Sequence, residues 1–266
     1  MEVKLTTKNG NIMGMNLLGI DVGGSGIKGA IVDTDTGLLT TERYRIETPQ
    51  PATPKVISEK INEIIQHFEW QNSLGIGFPA AIQNDIVSTA SNIHNKWLGL
   101  NAPEYFFKKT GCAAKVINDA DAAGIAEMRF GAGLDTTGLI LLLTVGTGIG
   151  SVIFRGDTLV PNTELGHIYM PNGKIAEDYA SDAVRQKKNL SWHQWGKRFN
   201  KYLKYMENLF WPDYIIIGGG ISKKFDLFAT ELSTRTPIVP AKLLNHAGII
   251  GAALAARKEK FSDSKN

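Results

Sequence analysis

Three glycine-rich stretches are the parts of this chain best built to hold an anion: Asp21–Gly26 (DVGGSG), Gly146–Gly150 (GTGIG) and Gly218–Gly220 (GGG). A turn without side chains lets successive backbone N–H groups converge on one phosphate. The first turn has a carboxylate before it, Asp21, and an ammonium after it, Lys28. An acid beside a phosphate cradle is a place for magnesium, commonly held through water. One such turn alone reads as a plain hairpin with its aspartate bonded to its own backbone; three together favour anion sites. Gly24–Gly29 matches the letters of G-x-G-x-x-G. The residues that follow, AIVD, read as a strand where a dinucleotide fold requires a helix, so that match is spurious. No Gly-Lys-Ser/Thr is present, which excludes a Walker loop.

Proton transfer points to a different residue. Asp119 follows the apolar segment KVIN and opens the helical segment DADAAGIAEMRF. A carboxylate at a helix N-terminus is favoured in its ionised form, which suits a base. The same placement is what an N-cap looks like, and composition leaves both roles open. Asp121 and Glu127 read as a first-turn charge and an exposed helix charge. Glu164 and His167 stand three apart in a glycine-containing turn, where the histidine is either a ligand-binding group or a satisfied structural one. Trp97, in NKWLGL, either packs on a ligand or fills the core. Cys112 reads as a small buried apolar residue.

These groups need a scaffold. Strands are expected over 17–22 and 27–33, with a third over LLTTERYRI (38–46), as an antiparallel meander. Ile57, Ile61, Ile64, Ile65 and Phe68 recur at helical spacing after Pro54. LGIGF (74–78) and KVIN (115–118) read as buried strands, with a long loop between them around 92–101. The pattern then restarts with LILLLTV (139–145), the GTGIG turn and SVIF (151–154). Ser191 and Gln194 have the spacing of a capping box. The helix they open carries an apolar stripe through Trp195, Phe199, Tyr202, Leu203, Met206, Leu209 and Phe210. YIIIG precedes the third glycine turn, Lys223 and Lys224 follow it at a helix start, and Asn245 is expected to cap a last helix over 246–260. The two halves each open strand, glycine turn, strand. The fold class is therefore α/β with an internal duplication and a cleft between two domains. The domains are expected at 15–118, joined by helix 246–260, and at 119–245, with a hinge near Asn118–Asp121 and flexible ends at 1–14 and 261–266.

Composition bounds the partners. Of 266 residues, 43% are hydrophobic and 21% charged, which is ordinary for a globular domain. A formal charge of +3 is too small to imply nucleic acid but allows a local anion-binding cleft. One cysteine excludes an internal disulfide and a multi-cysteine metal site. No apolar run approaches the length of a membrane span, and the first fourteen residues lack the apolar core of a secretory signal. The expectation is a cytoplasmic protein without nucleic-acid or membrane partners.

Taken together, Asp21-Val22-Gly23-Gly24-Ser25, Gly146-Thr147-Gly148 and Gly218-Gly219-Gly220 resemble the two phosphate loops and the nucleotide loop of the actin-like (ribonuclease H-like) sugar kinases. Asn118–Ala123 and Glu164-Leu165-Gly166-His167 resemble the ROK family within that fold, over about residues 17–257. The runs Glu177-Asp178, Leu190–Trp192, Gly218–Lys224 and Asn245–Ala256 are similar to the polyphosphate glucokinases of that family. The resemblance implies a magnesium-dependent glucokinase that moves a phosphoryl group from polyphosphate, or from ATP, to the 6-hydroxyl of glucose. An ATP-dependent hexose or N-acetylmannosamine kinase is the alternative. A sugar-sensing regulator is the reading from another class, set aside because only sixteen residues precede the first strand, too few for a DNA-binding domain. Asp119 would be the base, and Asn92, Asn118, Asp119, Glu164 and His167 the glucose ligands. Asp21, Gly23, Gly24, Ser25, Gly26, Lys28, Gly146, Thr147, Gly148, Gly219, Gly220 and Lys223 would hold the phosphate donor, with Asp21 on magnesium. A homodimer is implied as well. The family's usual cysteine cluster after the histidine is missing here, since IYMPNGKIAEDYA follows His167, so no structural zinc is expected.

Overall fold

Alternating buried residues and tight turns build the same five-stranded sheet twice. The computed structural model describes residues 15–91 and 93–257; the expectations for 1–14, for Asn92 and for the chain beyond 257 lie outside them. The first half begins with β1 (Asn16–Val22) and β2 (Ile27–Asp33), antiparallel around the first glycine turn, and β3 (Tyr44–Ile46). Helix α1 (Pro54–His67) and β4 (Leu74–Phe78) follow. A small hairpin of β5 (Ile82–Gln83) and β6 (Ile86–Val87), α2 (Ala102–Thr110) and β7 (Ala114–Asn118) complete this half. Helix α3 (Asp119–Phe130) leads to β8 (Leu139–Val145), β9 (Ile149–Arg155) and β10 (Thr158–Val160). Then come α4 (Glu177–Ala180), α5 (Asp182–Lys187), α6 (Trp192–Phe210), β11 (Tyr214–Gly218), β12 (Ile238–Pro240) and α7 (Ala247–Ala255).

The two sheets have orders β3-β2-β1-β4-β7 and β10-β9-β8-β11-β12. In each, the strand that precedes the glycine turn pairs antiparallel with the next strand and parallel with a later one. This is the duplicated actin-like arrangement. Helices α3 and α7 pack on each other between the sheets. Their close approach depends on missing side chains: a Cβ on Gly251 would overlap the carbonyl of Ala122, one on Gly19 that of Ile249, and one on Gly75 that of Ala252. Separate cores fill the two halves, one around Ile20, Ile61, Phe78, Trp97 and Phe106, the other around Trp195, Phe199, Tyr202 and Phe228. Trp97 is fully buried, edge-on to Phe78, with its indole N–H donated to Ala52 O, so it is core and not a ligand platform.

Several local expectations are corrected. The third strand is three residues and not nine, because Thr41 Oγ1 accepts the N–H of Ile31 in place of a strand partner and only Leu39 bridges to Val32. The capping box at Ser191 and Gln194 forms, but Leu209 in the predicted stripe is 53% exposed. Asn245 sits inside a 3-10 turn (Leu244–His246) and does not cap α7, which stops at Ala255 instead of 260. Lys223 and Lys224 lie on a 3-10 segment, with Lys224 outside helical geometry. Glu127 is not exposed: its buried carboxylate accepts N–H groups from Ala132, Lys242 and Leu243, tying α3 to the approach of α7.

Candidate functional site

The carboxyl ends of β1, β4 and β7 face those of β8 and β11, where side chains from both halves meet. A cavity of about 490 Å³ opens there, lined by Asn118, Asp119, Glu164, His167 and Glu177 together with the Gly24–Ser25 and Gly146–Gly150 turns and Gly219. Crevices at the carboxyl ends of strands are where α/β sheets bind ligands.

Asp119 is the first residue of α3, and the cap before it is Asn118. Asn118 Oδ1 accepts the N–H groups of Ala120 and Asp121, and its amide nitrogen donates to Ala80 O. Capping is thus the part of Asn118, and the Asp119 carboxylate, accepting only from Ala120 N among the described residues, belongs to the cavity lining. It also limits Asn118 as a sugar ligand, since one amide hydrogen is all that remains uncommitted. Burial, and next the nearby charge of Asp21, push the Asp119 carboxyl up to about 7. A carboxyl raised that far in a cleft is suited to exchange a proton near neutral pH.

Asp121, expected as a surface charge, is buried. Its Oδ2 accepts the N–H of Asn162, burial pushes its pKa up to about 6, and Oδ1 has no partner among the described residues. Asn162 in turn grips Ile82 at both its N–H and its carbonyl. The two halves are thereby pinned beside the cavity, one residue from the Thr163–Glu164 stretch.

On the opposite wall Glu164 precedes the 3-10 turn Leu165–His167. Burial raises its pKa, with His167 opposing. His167 stands between two carboxylates, Nδ1 at 3.3 Å from Glu164 Oε2 and Nε2 at 3.3 Å from Glu177 Oε1. Glu177 was named in sequence only as part of a family-like run and not as a site residue. It opens α4, accepts the N–H of Ile149, and lies so close to Gly148 that a Cβ there would collide with it. Such a row of planar acceptors and donors suits neighbouring hydroxyls.

The glycine loops divide in the structure. Gly24, Ser25, Gly146, Thr147, Gly148 and Gly219 line the cavity, whereas Asp21, Gly23, Gly26, Lys28, Gly220 and Lys223 stand outside its lining. Gly23 N–H donates to Gly26 O and Gly146 N–H to Gly148 O, so those two amides close their turns. No Cβ contact limits Gly24, Gly146 or Gly220, where open space faces the backbone. Lys28 Nζ is 3.1 Å from Asp21 Oδ2. That leaves Asp21 Oδ1 for a cation, a donor set that fits magnesium, which takes one or two carboxylates and keeps its waters or phosphates. Among the described residues no group of three His, Cys, Asp or Glu is placed to hold a metal ion. No helix of the described residues is long and apolar enough to cross a membrane.

Comparison with known proteins gives the same picture. The model of the ROK family matches residues 17–186. The chain is 47% identical over 239 residues to a polyphosphate glucokinase of Mycobacterium tuberculosis, covering 90% of each. The crystal structure of an inorganic polyphosphate/ATP-glucomannokinase from Arthrobacter sp. strain KM superposes with a TM-score of 0.87 at 43% identity, over 90% of this chain and 97% of that one. A ROK family glucokinase from Streptomyces griseus, solved with glucose and AMPPNP, has a TM-score of 0.79 at 24% identity, over 91% and 99%. That last likeness bears on the fold alone.

Proposed function

The chain belongs to the ROK family, and on that footing we propose that its cleft transfers a phosphoryl group from inorganic polyphosphate, or from ATP, to the 6-hydroxyl of glucose. The observation that carries this reading is the Asp119 carboxylate in one cavity with the Gly146–Gly148 turn and with Glu164, His167 and Glu177. Phosphoryl transfer requires little of a protein beyond positioning, charge stabilisation and a group to take the hydroxyl proton. Glu164, His167 and Glu177 hold the sugar hydroxyls. The 6-hydroxyl oxygen forms its bond to the terminal phosphorus as the bond to the bridging oxygen breaks. The proton passes to Asp119, and the donor leaves one phosphate shorter. Magnesium on Asp21 would neutralise charge on the donor phosphates. Magnesium and the homodimer expected of the family belong to the same proposal.

Two results test it. Glucose-dependent turnover of long-chain polyphosphate and of ATP, compared across a salt series, should show a higher kcat/KM for polyphosphate at low salt. Its fall with salt should be steeper, by analogy with counterion release from other polyanions. A chain that prefers ATP at every salt concentration, with no effect of polyphosphate length, is an ATP hexokinase. The second result concerns pH. Burial disfavours the charged form of Asp119, so its base form accumulates only as pH rises through about 7. The kcat/KM profile should therefore carry an acidic limb near that value; a limb near 4 would place the working carboxylate elsewhere.

A further inference from the structure

In the first sheet Asp21 pairs with Lys28 and Lys28 with Arg45. A carboxylate, an ammonium and a guanidinium thus stand in one row across β1, β2 and β3, at the end where the first glycine turn leaves the sheet. The first two neutralise each other at 3.1 Å. Arg45 does not share in that pairing. Among the described residues no carboxylate comes within ion-pair reach of it; instead its Nη2 donates to Ser25 O at 2.8 Å. The guanidinium lies flat on Gly26, where a Cβ would stand 2.7 Å from Nε. Glycine at 26 is what lets the planar fork rest on the turn. An arginine on an edge strand also deters pairing with another strand, but that role needs no contact with the glycine turn.

The rest of the fork is exposed. Two further cations gather around His246. Arg43 precedes Arg45 by two residues, just before β3 begins. Lys223 belongs to the other half, on the 3-10 segment that follows the third glycine turn. After burial itself, the charges of Arg43 and Lys223 hold the His246 imidazole below its ordinary range, which marks both as neighbours of that residue. Neither has a carboxylate partner among the described residues. His246 stands two residues before Gly248, where a Cβ would be 2.9 Å from Asp21 Cγ at the end of β1, so uncompensated positive charge from both halves gathers near the strand that enters the first glycine turn.

We propose that Arg45, flanked by Arg43 and Lys223, binds the phosphates of a polyphosphate donor that lie beyond the one transferred, and so sets the preference for long chains over a nucleotide. This rests on the donor reading given above. The turn's amides hold the reacting end, and the following units pass Ser25 and Gly26 and meet the fork. A guanidinium takes two phosphate oxygens at once and holds its charge at every working pH. A nucleotide carries a ribose and a base where polyphosphate continues with anions, so the same cations contribute less to it.

The test compares Arg45→Ala, Arg45→Lys and Arg43→Ala with wild type, on polyphosphates of increasing length and on ATP. For Arg45→Ala, kcat/KM on long polyphosphate should fall about tenfold more than on ATP, as expected for a lost hydrogen bond to a charged group. The loss should sit in KM. The gain in kcat/KM with chain length should flatten, and the slope of log kcat/KM against log salt should lessen by about 0.7–0.9 per cation removed. Arg45→Lys, which keeps charge without the fork, should fall between. Arg45 also braces the turn, so equal fractional losses on both donors would mean a loosened turn and overturn the proposal, as would an unchanged length dependence. A wild type that uses ATP alone overturns the donor reading and this inference together. A wild type that uses polyphosphate, with variants that keep its length dependence, overturns only this one.

Discussion

Asp119→Asn is expected to lower kcat by about 10²–10⁴ while leaving glucose affinity nearly unchanged. Asparagine keeps the shape and can still accept the N–H of Ala120, which Asp119 Oδ1 does at 2.8 Å, but it cannot take the hydroxyl proton. The cap is not at stake, because Asn118 supplies it. Glucose affinity is read by calorimetry and turnover by coupled assay. More than about a tenth of wild-type activity would remove Asp119 from the role of base. Stability should move the other way. The carboxyl titrates near 7 in the folded chain against 3.8 when unperturbed. A raised pKa means the ionised form is disfavoured by folding, so wild type loses stability as pH climbs from about 4 through 7. The variant has no such loss, and its Tm should exceed wild type at pH 8 by a margin that shrinks toward pH 5. A lower Tm at pH 8 would contradict the strained carboxylate.

Gly251→Ala should destabilise the fold by about 1–3 kcal/mol, and Gly251→Val by more. The new Cβ would fall on the carbonyl of Ala122, and backbone in a packed helix pair cannot swing aside as a flexible side chain can. Because α7 also covers Gly19 and Gly75, the displacement is transmitted to β1 and β4 and from there to the glycine turn that leaves β1. Urea unfolding should show a lower midpoint with an unchanged slope. Gly146→Ala is the comparison: nothing lies within 4 Å of a Cβ there, so its midpoint should match wild type. Equal midpoints for Gly251→Ala and wild type would mean that the helices separate freely.

Much of this was legible in the residues because it is local. Strand, glycine turn, strand occurs twice, and both occurrences form as hairpins because alternation and turn chemistry act over a few residues. The junction that makes Asp119 the start of a helix is read from KVIN and DADAAG in the same way. The capping box of α6 closes within three residues. The small residues of α7, AGIIGAALA, stand in the sequence itself, though not which carbonyls they would meet.

What the chain order conceals is which distant groups share a space. Asp121 and Glu127 have the look of surface charges on a helix, yet each is buried because its carboxylate is claimed from elsewhere in the chain, Asp121 by Asn162 and Glu127 by Lys242 and Leu243. Glu177 has no periodicity or turn signal, only its place in a family-like run; it becomes a wall of the cleft only when α4 is folded against the β8–β9 turn, 28 residues away from Ile149. Lys28 and Arg45 are both basic residues near a glycine turn, and nothing in their spacing tells that Asp21 pairs with the first while the second rests on Ser25 O with no carboxylate in reach among the described residues. Periodicity and turn chemistry are determined by neighbours along the chain, so sequence alone determined most of the elements and the place of Asp119 at the head of α3. Charge is determined by neighbours in space, and so only the packing of the two sheets decided which acids face the cleft and which cations are left without a carboxylate partner among the described residues.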